Sequence, residues 1–210
     1  MQYRLYYHRK LPHYQPKHGV FFITLRLAFS LPEKYLQALN RYKDTLRKSY
    51  AELETQKPDN NAIRKKVFAY EDELYNHCAT KVDISSAPTA TLITDKLLSM
   101  QQDMFYLYAF TIMPNHLHML IRPLEREGEQ IAISEIIKSF KGHTARMVNQ
   151  ALNRQGQLWF REYHDHWIRN QQELVNVMEY IRNNPVKAGL AKDTRQWPWT
   201  WLNPDLWQEE

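Results

Sequence analysis

Acidic residues are absent from the first 32 positions of this 210-residue chain, glycine occurs five times in all, and cysteine once. Each scarcity excludes something. A lone Cys78 rules out a disulfide framework and points to a reducing compartment. The few glycines form no G-x-x-x-x-G-K-[ST] loop, so no nucleotide cofactor is expected. Largely apolar runs such as Val20 to Leu25 are far shorter than the roughly 20 residues of a membrane span. The first residues, Met1-Gln-Tyr-Arg-Leu-Tyr-Tyr-His8, lack the apolar stretch of a signal peptide. The expectation is a soluble, cytoplasmic protein without a membrane partner. Hydrophobic residues at 43% and charged residues at 24% exclude wholesale disorder. The length suits one domain, residues 1–210, carrying an insertion.

The missing acids leave a positive pole. Arg4, Arg9, Lys10, Lys17 and Arg26 precede the first acid, Glu33, and the remaining 23 basic residues are balanced by 23 acidic ones. The formal net charge of +5 therefore sits at one end, interleaved with Tyr3, Tyr6, Tyr7 and Tyr14. Cations neutralise phosphates and tyrosine faces stack on unpaired bases. Residues 1–17 read as a basic arm for single-stranded nucleic acid or, equally, as a solvated tail.

Hydrophobic period separates the elements. Val20, Phe22, Thr24 and Arg26 alternate with Phe21, Ile23, Leu25 and Leu27, which predicts a buried strand. Leu36, Leu39, Tyr42, Leu46, Tyr50 and Leu53 recur at helical spacing, as do Ile63, Val67, Tyr70, Leu74 and Cys78. Lys57-Pro-Asp-Asn-Asn61 separates the two, so residues 33–80 read as a helical hairpin. A loop over 83–90 and a helix over 91–102 follow. Strands at 104–112 and 116–122 flank the turn Met113-Pro-Asn115. A helix over 131–153, a strand with a helical continuation over 158–169, and a helix over 173–183 stopped by Pro185 complete the chain. This order predicts an α+β fold: a ferredoxin-like βαββαβ antiparallel sheet with helices on one face and the helical hairpin inserted.

Two motifs carry chemistry. His116-Leu-His118 places two imidazoles on one face of a strand, where they suit a shared divalent cation or ordinary strand packing. Tyr180 and Asn184 lie four apart near a helix end. A phenol, with a reference pKa of about 10, attacks phosphorus usefully only where a cation polarises the phosphate. Asn184 offers a neutral oxygen for that cation; the plain alternative is a capping Asn184 and a packing Tyr180.

Met113-Pro-Asn-His-Leu-His-Met-Leu120 followed by Tyr180-Ile-Arg-Asn-Asn-Pro-Val-Lys-Ala-Gly-Leu190 resembles the REP-associated tyrosine transposase family, a branch of the single-strand transposases and nickases named for a His-hydrophobic-His motif. Val20 to Pro32, Ile136 to Lys141, Trp159-Phe-Arg-Glu-Tyr163 with Trp167-Ile-Arg169, and Asp193 to Trp199 extend the likeness over most of the chain. His164-Asp-His166 and the tail beyond Trp199 depart from it.

The resemblance implies cleavage and rejoining of single-stranded, hairpin-bearing (REP-like) DNA. It implies Tyr180 as nucleophile forming a 5′-phosphotyrosine link, and His116, His118 and Asn184 as ligands of Mg²⁺ or Mn²⁺. Arg4, Arg9, Lys10, Lys17, Lys138, Lys141 and Lys187 are the candidate DNA-binding residues, with Lys187 close enough to the catalytic helix to reach the scissile phosphate. Tyr163 is a rival nucleophile whose neighbours favour packing. His164 and His166 are read beside Phe160 on one face, contacting DNA or orienting the site. The tryptophans at 197, 199, 201 and 207 read as core cover. Two other functions fit the same residues: a non-catalytic DNA-hairpin binder, and a metal-dependent hydrolase using water. A monomer and a homodimer are equally compatible with the sequence.

Overall fold

The computed structural model describes residues 6–8, 12–28, 31–52 and 60–207. The chain divides into two compact units, Met1–Ala28 with Val82–Glu210, and Phe29–Lys81.

The larger unit is built on a five-stranded antiparallel sheet. In chain order its elements are β1 (Tyr6–His8), β2 (Pro12–Tyr14), β3 (Val20–Arg26), then, after the second unit's helices α1 (Glu33–Glu52) and α2 (Asn60–Asn76), α3 (Ala87–Met100), β4 (Phe105–Ile112) and β5 (His116–Pro123). The short pair β6 (Glu125–Arg126) and β7 (Glu129–Gln130), α4 (Ile133–Ala151), β8 (His164–Ile168), α5 (Gln171–Lys187), a 3₁₀ turn at Thr194–Gln196 and β9 (Thr200–Leu202) follow. The sheet order β8-β3-β5-β4-β9 is the ferredoxin-like order with one strand added beside β4. The βαββαβ expectation is therefore met.

Strand alternation sorts the sheet into two faces. Phe21, Ile23 and Leu25 of β3, Leu117, Met119 and Ile121 of β5, and Phe110 and Ile112 of β4 share one face and are buried. Full burial of side chains this large stabilises the fold by about 1.5–3 kcal/mol each. The other face carries Phe22, Thr24 and Arg26 opposite Leu120, His118 and His116. Helix α5 lies on that face, with Tyr180 edge-on to both Phe22 and His118.

Four boundaries differ from the expected ones. Helix α3 starts at Ala87, inside the stretch expected to be a loop, because Pro88 occupies its first turn, where no N–H is needed, and Ser86 precedes it as N-cap. Strand β8 is only five residues long. Ahead of it the Lys141 ammonium gathers the carbonyls of Phe160, Arg161 and Glu162 at 2.8, 3.4 and 3.2 Å, and pairing with the β3 end survives only as a bridge, Trp159 opposite Leu27, with Phe160 N–H donating to Arg26 O at 2.7 Å. Phe160 consequently stands 47% exposed outside the strand, not beside His164 and His166 as alternation suggested. Helix α5 runs through Pro185 to Lys187. The proline sits in the last turn, and a Schellman close follows: Leu190 N–H donates to Pro185 O at 2.9 Å and Gly189 N–H to Val186 O at 3.0 Å, with Gly189 at φ +71°. Finally, β9 forms within the tail. Thr200 meets Thr111 and Trp201 meets Phe110 across the ladder, the latter rings stacked at 5.9 Å.

In the second unit, Tyr42 and Tyr70 join α1 to α2 at a ring separation of 4.4 Å, and Leu31, Tyr35, Tyr75 and Cys78 form a small cluster. Burial, only partly offset by Lys34, pushes the Cys78 thiol above its ordinary pKa, so it is a packing residue and not a reactive thiolate. Among the described residues, no helix is long and apolar enough to cross a membrane.

Candidate active site

The turn at Met113–His116 is closed by Met113 N–H donating to His116 O at 2.8 Å. It delivers His116 to the first position of β5 and His118 two residues on, so both imidazoles fall on the face that α5 covers. Their rings lie 4.6 Å apart at 68°, both buried, with ligand nitrogens within 4.8 Å of one another. Each ring is held at Nδ1. His118 Nδ1 lies 2.8 Å from Thr24 Oγ1, and His116 Nδ1 lies 2.6 Å from Asn115 Oδ1. Phe22 stacks on His118 at 5.2 Å and 28°. Neighbouring imidazoles with fixed rings are a donor set that fits one divalent cation.

Helix α5 brings the second motif to this pair. Asn170 caps its start by accepting from Glu173 N–H at 2.9 Å, and Glu173 in turn accepts from Arg169 N–H at 2.9 Å and pairs with His166 Nε2 at 2.9 Å. These contacts pin the helix to β8. The Tyr180 ring then meets His118 at 5.6 Å and Phe22 at 5.8 Å. Asn184 lies one turn further along the helix and is 1% exposed. Lys187 is exposed on the surface, but its ammonium sits 5.3 Å from the Tyr180 ring centroid.

The other candidates are scattered. Lys138 is exposed on α4. Lys141 caps the 160–162 backbone and approaches the Tyr163 ring at 5.7 Å, a scaffold position. Tyr163 is 4% exposed and packs as expected. Lys17 is exposed, while Arg4, Arg9 and Lys10 lie outside the described residues. Sequence reasoning missed Thr24, Asn115, Phe22 and Glu173. Asn115 stood inside the quoted motif; Thr24 and Phe22 are brought to His118 only by the β3–β5 register.

Over residues 91–184 the chain matches the family model described as Transposase IS200 like. It is 28% identical over 108 residues to a Haemophilus influenzae protein provisionally named a REP-associated tyrosine transposase, a match covering 49% of this chain and 61% of the relative. It is 26% identical over 102 residues to the REP-associated tyrosine transposase of Escherichia coli, covering 49% of this chain and 57% of that one. The matched stretch thus spans less than two thirds of these relatives. A solved structure of a REP-associated tyrosine transposase bound to a REP hairpin superimposes with a TM-score of 0.53 at 16% identity, covering 100% of this chain and 92% of that one, a likeness of fold. The resemblance read from the two motifs therefore holds: the chain is similar to the REP-associated tyrosine transposases.

Proposed function

We propose that this protein is a metal-dependent tyrosine transposase, cutting and rejoining single-stranded, hairpin-bearing DNA through a 5′-phosphotyrosine link. The observation that carries the reading is the meeting of Tyr180 with His118 at 5.6 Å inside one chain, beside a second buried imidazole. Two unrelated sequence motifs converge where a nucleophile and a cation site are needed together.

His116 and His118, with Asn184 through its amide oxygen, are the residues that would hold Mg²⁺ or Mn²⁺. When bound, such a cation supplies Lewis-acid polarisation of the phosphate. The Tyr180 hydroxyl attacks phosphorus in line; the new O–P bond forms as the bond to the upstream 3′ oxygen breaks. The protein is left on the 5′ phosphate and the upstream strand keeps a 3′ hydroxyl. That hydroxyl, or another, reverses the step, so the phosphodiester energy is conserved and no nucleotide is consumed. Lys187, beside the Tyr180 ring, is positioned to neutralise a phosphate oxygen near the attacking hydroxyl. The basic residues of the arm extend contact along the strand. The likeness to relatives named for REP sequences supports hairpin DNA as the partner.

Trapping a covalent adduct tests this. Hairpin-bearing single strands labelled downstream of the cut should shift with the protein on a denaturing gel; strands labelled upstream should not. Cleavage without an adduct would instead indicate a water-using hydrolase, and binding without cleavage a non-catalytic hairpin binder.

A further inference from the structure

We propose that Thr24 and Asn115 are positioning residues that keep His118 and His116 oriented, and tautomerically able, to present Nε2 to a divalent cation. The inference rests on the metal reading of the histidine pair. It adds two residues that neither motif assigns.

A neutral imidazole has one protonated and one lone-pair nitrogen, and a metal takes the lone pair. The partner at the far nitrogen therefore selects which atom can bind. Asn115 Oδ1 at 2.6 Å from His116 Nδ1 is a carbonyl oxygen and only accepts. It requires Nδ1–H, which leaves the lone pair on Nε2. Thr24 Oγ1 at 2.8 Å from His118 Nδ1 is a hydroxyl, able to accept or donate. It holds the ring in one place in either tautomer and accepts from Nδ1–H in the binding one.

The scaffold fixes both partners. Thr24 is 1% exposed and Asn115 2%. Thr24 stands directly across from His118 on β3, within a polar row that continues from His164 through Thr24 and His118 to Thr111 and Thr200 over five strands. At the far end of that row Thr111 and Thr200 join hydroxyls at 2.7 Å. Asn115 is anchored through its backbone, whose carbonyl accepts from Leu27 N–H at 3.0 Å. Phe22 closes the stack on His118. Rings gripped in this way lose little further freedom on taking a cation, and partners of this kind typically shift metal affinity by about 10–100-fold.

The test is Mn²⁺ binding by the full chain without DNA, followed by electron paramagnetic resonance or calorimetry. Thr24→Val keeps the side-chain volume and removes the acceptor; it should weaken Mn²⁺ binding by about tenfold or more. Thr24→Ser should restore it. Asn115→Leu should weaken binding by a comparable factor, whereas Asn115→Asp, which keeps an acceptor oxygen, should not. Long-range ¹H–¹⁵N spectra should show Nδ1–H on His116 in the unsubstituted protein and a loss of that preference in Asn115→Leu. Unchanged Mn²⁺ affinity in both Thr24→Val and Asn115→Leu would overturn the inference while leaving the metal reading intact. A wild-type chain that does not bind Mn²⁺ would overturn the metal reading itself.

Discussion

Tyr180 and Tyr163 carry the same hydroxyl, and their surroundings separate them. Tyr180 lies on the face with both histidines; Tyr163 is packed at the base of the Lys141 carbonyl cap. Tyr180→Phe should abolish the covalent adduct yet leave hairpin binding within error, and Tyr163→Phe should still form the adduct; denaturing gels and a binding titration check both. His116→Ala and His118→Ala should each abolish cleavage with circular dichroism preserved, EDTA should act alike, and added Mg²⁺ or Mn²⁺ should restore the EDTA-treated protein. Full cleavage in EDTA would remove the metal from the mechanism. Away from the site, Thr144 Oγ1 accepts from Trp159 Nε1–H at 2.8 Å in the core and donates to Phe140 O at 2.8 Å. Thr144→Val keeps the shape but strands the indole N–H. Chemical denaturation should show a loss of about 1–3 kcal/mol.

At the scale of elements, legibility followed length and period. Helices α1, α4 and α5 and strands β3, β4 and β5 show their period over seven or more residues, and all were readable. The histidine pair and Tyr180 were readable because each lies within a single element. What escaped depends on partners distant in sequence. Strand β9 exists because β4 offers an edge, and Asn203 secures it by donating from Nδ2 to Tyr106 Oη and Leu107 O, both at 3.0 Å. Nothing in Thr200-Trp-Leu202 by itself announces a strand. Thr24 reads as one more β-branched residue until register sets it against His118. The end of α5 was misjudged because Pro185 looks like a stop, whereas the stop is Gly189. A Cβ at Gly189 would meet no atom within 4 Å, so Gly189→Ala adds only the cost of φ +71°. That should lower stability by about 1–2 kcal/mol in denaturant titrations. The close also follows Asn184 by five residues, so adduct formation should slow in the same variant.

Over the whole molecule, charge is distributed less evenly than structure. The formal net charge of +5 is held before Glu33, and the arm's root is fixed to the outer strand β8. Gln15 Nε2 donates to Asp165 Oδ2 at 2.8 Å, and the Tyr14 ring meets Trp167 edge-on at 5.5 Å. Deleting residues 1–17 would remove this root together with the cations and confuse two effects. Replacing Arg4, Arg9, Lys10 and Lys17 by glutamine keeps Tyr14 and Gln15 and removes only charge. Single-stranded DNA releases counterions as phosphates are neutralised, with a log–log salt slope of about 0.7 per contact. If all four cations reach phosphates, the slope should fall by about 3, and affinity should drop most at low salt. Adduct formation at saturating DNA should persist, because the substitutions leave Tyr180 and both histidines in place. A slope that does not move would assign the arm's charge to solvation. The site would then have to draw its hold on DNA from residues such as Lys187 and Lys138, and glutamine at those two positions should lower the slope instead.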